Sequence, residues 1–185
     1  MVILGRQGSG KGTQSLRIAE AYGCVHISTG DVLRAAVAAD TELGRQASEI
    51  MEAGGLVGDD VMNGIVAERL AQSDIVDAGV LLDGFPRTAD QADALETILT
   101  NLRHQLTIAM NIDVAVEEVT KRMMARGRSD DTEEAISRRL ALYEAQTAPL
   151  LDWFAERDLL TTVEGTGSEA EVFGRVKAAI DNCLN

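Results

Sequence analysis

Aromatic residues, prolines and cysteines are scarce in this chain. It contains one Trp, two Tyr, three Phe and two prolines in 185 residues, so we expect an aliphatic core and no proline-rich linker. Cys24 and Cys183 lie far apart and lack the CxxC spacing of a zinc site, so we expect no structural zinc. Two reduced thiols are favoured over a single disulfide, which the sequence leaves open.

Long apolar runs are also missing. No stretch approaches the roughly 18 apolar residues of a membrane span. The chain starts with a strand-like segment instead of the basic and apolar regions of a secretory signal. We therefore expect a cytoplasmic protein with no membrane partner.

Positive charge is outweighed by negative charge. There are 17 Lys and Arg against 30 Asp and Glu, giving a formal net charge of -13. A field of that sign repels polyanions, which argues against nucleic acid as a partner. A small phosphate ligand can still bind where arginines are concentrated.

Short apolar runs alternate with longer helical patterns, which predicts an α/β fold with a parallel sheet covered on both faces. The predicted strands are residues 2–4, 24–27, 80–82, 106–112 and 159–163. The predicted helices are residues 11–21, 32–39, 42–53, 61–72, 89–103, 116–125, 132–156 and 169–183. Ligands of such sheets bind at the carboxyl ends of the strands.

The strongest motif is GRQGSGKGT at residues 5–13, between a predicted strand and a predicted helix. It matches the P-loop pattern G-x-x-x-x-G-K, in which glycines turn backbone N–H groups around a phosphate and a lysine reaches the terminal phosphates. A flexible glycine turn is the competing interpretation, which the strand–loop–helix setting disfavours. Gly12, instead of Ser or Thr, follows Lys11.

Asp83 ends the third apolar strand, where P-loop enzymes place a carboxylate that orients Mg²⁺ through water. An Asp83–Gly84 hairpin turn is the alternative. A helix, not a second strand, is predicted to follow at residue 89, which argues against that turn.

Several segments, in the right order, resemble the adenylate kinase family of nucleoside monophosphate kinases, in its short-lid bacterial form. They are GKGT at 10–13, ISTGDVLR at 27–34, GLV at 55–57, LDGFPRT at 82–88 with Gln91, and RGRSDD at 126–131. The resemblance implies a P-loop NTPase-type five-stranded parallel sheet with helices on both faces. It also implies a helical insert for the nucleoside monophosphate (NMP) at residues 28–57 and a very short lid at 125–131. The core would comprise residues 1–27, 58–124 and 132–185.

The resemblance also implies substrates and residue roles. The substrates would be ATP, AMP and ADP, with Mg²⁺ accompanying the nucleotide and no direct protein ligand to the metal, and the protein would be a monomer. The catalytic residues would be Lys11, Asp83, Arg87, Arg122, Arg128 and Arg139. The ATP site would comprise Gly8, Ser9, Gly10, Lys11, Gly12, Thr13, Arg126 and Gly167. The AMP site would comprise Thr29, Arg34, Gly55, Leu56, Val57, Gly84, Phe85, Pro86, Arg87, Gln91, Arg128 and Arg139.

Two alternative functions remain at this stage. A UMP/CMP kinase of the same fold is disfavoured by Thr29, Thr88 and Gln91, which suit adenine. A non-catalytic nucleotide sensor would be expected to have lost Lys11 or its arginines. Any single arginine could be an ordinary surface residue, and His26 and His104 are read as structural or surface residues.

Two segments depart from the family pattern. Arg6-Gln7 and Gly58 stand where prolines are common, which should loosen the backbone locally. Arg6 could add positive charge beside the phosphate loop.

Overall fold

The computed structural model describes residues 1–38, 45, 48, 50, 57–128 and 131–184. The five strands are β1 Val2–Leu4, β2 Val25–Ser28, β3 Val80–Asp83, β4 Ala109–Asp113 and β5 Leu160–Glu164. Helices before β4 are α1 Lys11–Tyr22, α2 Thr29–Ala38, α3 Asp59–Leu70, α4 Ser73–Ala78 and α5 Ala89–Asn101. Helices after β4 are α6 Val116–Arg126, α7 Glu133–Leu142, a π-helical turn Tyr143–Thr147, α8 Pro149–Ala155 and α9 Glu169–Leu184.

The sheet is parallel throughout, in the order β2-β3-β1-β4-β5. The central strand β1 pairs Val2 with Leu82 on one side and with Ala109 on the other. The chain after β1 therefore leaves the middle of the sheet, with the ends of β3 and β4 beside it. This arrangement confirms the predicted fold and places the glycine loop in the crevice where such sheets bind ligands.

Alternation along the strands divides the hydrophobic core between the two faces of the sheet. Val2 and Leu4 of β1 join a buried cluster that includes residues of α3, α5 and α8. Ile3, between them, joins a second cluster that includes residues of α1, α6 and α9. Successive side chains of a strand point to opposite faces, so this central strand is buried on both sides, as its uninterrupted apolar sequence predicts.

The predicted single helix over residues 132–156 is wrong in its middle. It forms α7 and α8 with a π-helical turn between them, closed by a 2.7 Å hydrogen bond from the Ala148 N–H to the Tyr143 carbonyl. Pro149 is the reason, because proline has no N–H to donate and its ring clashes with the carbonyl four residues earlier. A wider turn accommodates it.

Other boundaries differ by a few residues. Helix α2 begins at Thr29, not 32, and the Ser28 hydroxyl accepts a hydrogen bond from the Asp31 N–H. The six-residue helix α4 was not predicted, because it is too short to show a period. The predicted helix 42–53 lies largely outside the described residues. Among the helices that are described, none is long and apolar enough to cross a membrane.

Candidate active site

The loop between β1 and α1 is shaped by glycines with positive φ. Gly8 has a φ of 87° and Gly10 of 97°, values that side chains rarely permit. A Cβ on Gly8 would also lie 2.8 Å from the Val119 carbonyl oxygen, because the loop packs closely against α6. Gly10 caps α1 without a side chain, so the first N–H groups of the helix are open to an anion.

Lys11 holds its amine inside this loop. The Lys11 Nζ donates to the carbonyl oxygens of Gly5 at 2.6 Å and Arg6 at 3.0 Å. Burial lowers the pKa of Lys11 to about 8; nearby Asp83 opposes the shift, whereas Arg87 and Arg126 reinforce it. The charged amine is therefore held in an unfavourable environment that an incoming polyanion would relieve.

Asp83 lies at the carboxyl end of β3, next to the loop, and is 9% exposed. Its Oδ2 lies 3.8 Å from where a Cβ of Gly12 would be, so the small residue after Lys11 leaves space beside the carboxylate. The His26 Nε2 is 3.8 Å from the same oxygen. The sequence assigned His26 to no site, and a residue 57 positions away from Asp83 gives no local signal of this contact.

Six arginines from separate parts of the chain line one cleft of about 920 Å³ above these strand ends. They are Arg34, Arg87, Arg122, Arg126, Arg128 and Arg139. Arg87 is partly buried: burial lowers its pKa, the charge of Asp83 opposes this, and the charges of Arg139 and Arg34 add to it. Such a concentration of like charge in a chain of net charge -13 is suited to a ligand with several phosphates.

Asp131 binds the arginines near the short loop after α6. Its carboxylate accepts from the Arg126 Nε at 2.9 Å and Nη2 at 2.8 Å, and from the Arg139 Nη1 at 3.2 Å. Its side chain is 0% exposed. Burial alone would raise the pKa of Asp131, but the hydrogen bonds and charge of Arg126, the Arg128 N–H and the charge of Arg139 together outweigh burial and hold it below the usual range. A carboxylate thus occupies arginine positions that phosphate oxygens could take.

At the other end of the same cleft lie the residues predicted to recognise a base. Thr29 is 1% exposed and Gln91 is 2% exposed, and both contribute to the lining together with Val57. The Thr29 hydroxyl donates to the Asp83 carbonyl oxygen at 3.3 Å. One continuous space therefore joins the phosphate loop, the arginines and Gln91.

Nearly all predicted site residues that the structure describes line this cleft. They are Gly8, Ser9, Gly10, Lys11, Gly12, Thr13, Thr29, Arg34, Val57, Asp83, Gly84, Pro86, Arg87, Gln91, Arg122, Arg126, Arg128, Arg139 and Gly167. The exception is Phe85, which is 1% exposed and packs in the core, so its side chain is not part of the lining. Gly55 and Leu56 lie outside the described residues.

Comparison with known proteins identifies the family. The adenylate kinase family model matches residues 3–159. The chain belongs to the adenylate kinase family. An adenylate kinase of Stenotrophomonas maltophilia (strain R551-3) is 45% identical over 184 residues, covering 97% of this chain and 98% of the relative. One of Oenococcus oeni (strain ATCC BAA-331 / PSU-1) is 40% identical, with coverage of 98% and 97%.

A longer adenylate kinase is also similar. That of Thermodesulfovibrio yellowstonii (strain ATCC 51303 / DSM 11347 / YP87) is 41% identical over 212 aligned positions, covering 98% of each chain. These positions outnumber the 185 residues of this chain, so the relative carries insertions. Family membership confirms the resemblance and the phosphotransferase class predicted from the sequence, and it favours neither the sensor nor the pyrimidine kinase alternative.

Arg6 behaves differently from the expectation that it adds charge to the phosphate loop. Its guanidinium donates to the Glu144 carboxylate at 2.7 Å and to the Asp113 carboxylate at 3.2 Å. These partners offset its charge and connect the loop to the π-helical turn. At the end of that turn, the Thr147 hydroxyl donates to the Arg87 carbonyl oxygen at 2.9 Å. The sequence gives no local signal of these contacts, since each joins residues at least 60 positions apart.

Proposed function

We propose that this protein catalyses the reversible transfer of the γ-phosphoryl group of ATP to AMP, giving two ADP. The observation that carries the proposal is the single cleft that joins a P-loop to a cluster of arginines and to a buried glutamine. Both nucleotides can then meet with their phosphates facing each other. The family name and the names of the relatives support this reaction.

The proposed chemistry depends on positioning and charge more than on proton transfer. The phosphate of AMP is already an anion at neutral pH, so no general base is needed. Phosphoryl transfer then requires the two phosphates to be aligned and the charge that spreads over the transferred group to be neutralised. We assign alignment of ATP to residues 8–13 and binding of the AMP phosphate to Arg34 and Arg87. Neutralisation is assigned to Arg122, Arg126, Arg128 and Arg139.

The residues present fit a magnesium–nucleotide complex. Asp83 is a carboxylate beside the phosphate loop, and no group of three or more His, Cys, Asp or Glu side chains in the described ranges could hold a metal ion. An ion bound mainly by phosphates and water, with Asp83 orienting that water, matches the preference of Mg²⁺. When bound, Mg²⁺ would neutralise phosphate charge and orient the nucleotide.

We propose three functional parts in the chain. Residues 28–57 would bind AMP, residues 125–131 would form the lid, and the remainder would form the core. Closure of the first two over the cleft would exclude water, which otherwise competes with AMP for the phosphoryl group. On the family resemblance we also propose that the protein is a cytoplasmic monomer. Light scattering, which measures the molar mass in solution, tests the monomeric state.

A substrate panel tests the proposed reaction. The protein is incubated with Mg-ATP and each of AMP, GMP, UMP and CMP, and diphosphate products are quantified by chromatography. We expect ADP formation with AMP, and a loss of at least a hundredfold in kcat in Lys11→Met, since electrostatic contacts of this kind contribute about that much. The exposed Lys121→Met is the matched control. A preference for UMP or CMP, or no transfer to any acceptor, would refute the proposal.

A further inference from the structure

Asp59, the first residue of α3, binds two residues at the start of α5 with its two carboxylate oxygens. Its Oδ1 accepts from the Gln91 Nε2 at 2.7 Å and its Oδ2 accepts from the Thr88 hydroxyl at 2.8 Å. Thr88 is the N-cap of α5, and its oxygen accepts from the Gln91 N–H at 3.2 Å. The three residues thus form a closed ring of hydrogen bonds, in which Gln91 and Thr88 fix the position of the Asp59 carboxylate from two directions.

The partners of Gln91 allow only one orientation of its amide. The Gln91 Oε1 accepts from the Arg87 N–H at 2.8 Å, and the Nε2 donates to Asp59. A backbone N–H can only donate and an ionised carboxylate can only accept. Rotating the amide by half a turn would therefore set donor against donor at Arg87 and acceptor against acceptor at Asp59. Gln91 is 2% exposed, so water cannot readily relieve either conflict.

Because its orientation is fixed, the Gln91 amide can offer only one arrangement of hydrogen-bond donor and acceptor to a ligand in the cleft that it lines. One lone pair of Oε1 and one proton of Nε2 remain unused. Adenine presents a matching edge, with a donor at its 6-amino group and an acceptor at N1. Hypoxanthine and guanine present the opposite edge, with an acceptor at O6 and a donor at N1.

We propose that Asp59 is a specificity-determining positioning residue: it holds Gln91 in the orientation that accepts a 6-amino purine and rejects a 6-oxo purine. This inference rests on the proposed function, since it assumes that a nucleoside monophosphate base occupies this end of the cleft. Asp59 does not contact the base. It acts by making the alternative orientation of the amide unfavourable.

The Asp59→Asn variant replaces a carboxylate that can only accept hydrogen bonds by an amide of nearly the same shape that can also donate. The neutral amide of asparagine can turn its own donor toward Gln91, so only the Arg87 N–H still opposes the reversed orientation. An unmade buried hydrogen bond costs enough to change a binding ratio by about ten- to hundredfold. We therefore expect the preference for AMP over IMP to fall by about that factor.

The experiment measures Kd by calorimetry and kcat/KM by product formation, for AMP and IMP, in parent, Asp59→Asn and Asp60→Asn. Asp60 is exposed and lies next to Asp59 in the first turn of α3, so its variant controls for lost negative charge at the helix start. We expect the AMP-to-IMP ratio to fall in Asp59→Asn and to stay within twofold of the parent in Asp60→Asn. A merely structural role would weaken both ligands equally and leave the ratio unchanged.

An unchanged ratio in Asp59→Asn, or an equal fall in Asp60→Asn, would overturn the inference. A parent protein that does not prefer AMP in binding would also overturn it. A parent that binds AMP selectively but transfers no phosphoryl group would refute the proposed function alone, and the Kd ratio would still decide the role of Asp59. If Asp59→Asn does not fold, Asp59→Ser provides the same test, because a hydroxyl can both donate and accept.

Discussion

The enclosed amine of Lys11 predicts a proton-linked affinity for ATP. Its pKa is lowered from 10.5 to about 8, so the nucleotide-free fold opposes the charged form by roughly 3 kcal/mol. Because burial favours the neutral amine, the nucleotide-free protein loses this proton as the pH rises through 8. Bound phosphates favour the charged amine and raise the pKa of Lys11 again, so binding above pH 8 must take up a proton.

The size of the effect follows from the pKa. A group with a pKa of about 8 is roughly 90% neutral at pH 9, so ATP should bind about tenfold more weakly at pH 9 than at pH 7. Proton uptake should rise from near zero at pH 7 to about 0.9 per ATP at pH 9. Titration calorimetry in two buffers with different ionisation enthalpies measures both quantities.

Lys11→Arg isolates the responsible group. A guanidinium stays charged over this range, so we expect this variant to bind ATP with little pH dependence and without proton uptake. Lys121→Arg, at an exposed position, should keep the parent profile. Equal proton uptake by the parent and Lys11→Arg at pH 9 would refute the reasoning, because another group would then carry the linkage.

Two further predictions concern stability. Gly58 has φ -56° and ψ 144°, and nothing lies within 4 Å of a Cβ built there. Gly58→Pro should therefore raise the free energy of unfolding by about 0.4–1 kcal/mol and Tm by about 1–4 °C, and an unchanged Tm in calorimetry would contradict this. The control Gly64→Pro, inside α3, should be strongly destabilising. Asp131→Asn should lower the free energy of unfolding at pH 7 by about 1–3 kcal/mol, measured by urea unfolding. The pKa of Asp131 is depressed in the folded protein. Its contribution to the free energy of unfolding is therefore complete above the ordinary carboxyl pKa, and it disappears as the pH falls through the pKa of the folded protein. The two proteins should therefore converge in acid, and equal stability at pH 7 would count against the role of the Asp131–Arg126 pair.

The features that the sequence predicted well depend on local physics. The apolar run at residues 2–4 predicts β1, and the glycines after it predict the phosphate loop. A loop that turns its N–H groups inward needs positive φ at positions such as Gly8 and Gly10, which glycine permits. Asp83 was placed by the end of its strand. The arginines were placed by motif resemblance, and the structure brings them to one cleft.

Other features depended on which surfaces meet in the folded chain. Asp59 contacts Gln91 from 32 residues away, and Arg6 contacts Glu144 from 138 residues away. Charge and polarity along the sequence indicate that such groups need partners but not which partners they find. Sequence alone thus determined the fold and the family, and it predicted the residues of the phosphate loop. Tertiary packing decided how Gln91 is oriented and how the charge of Arg6 is used, because hydrogen bonds between distant segments form only after the helices have docked.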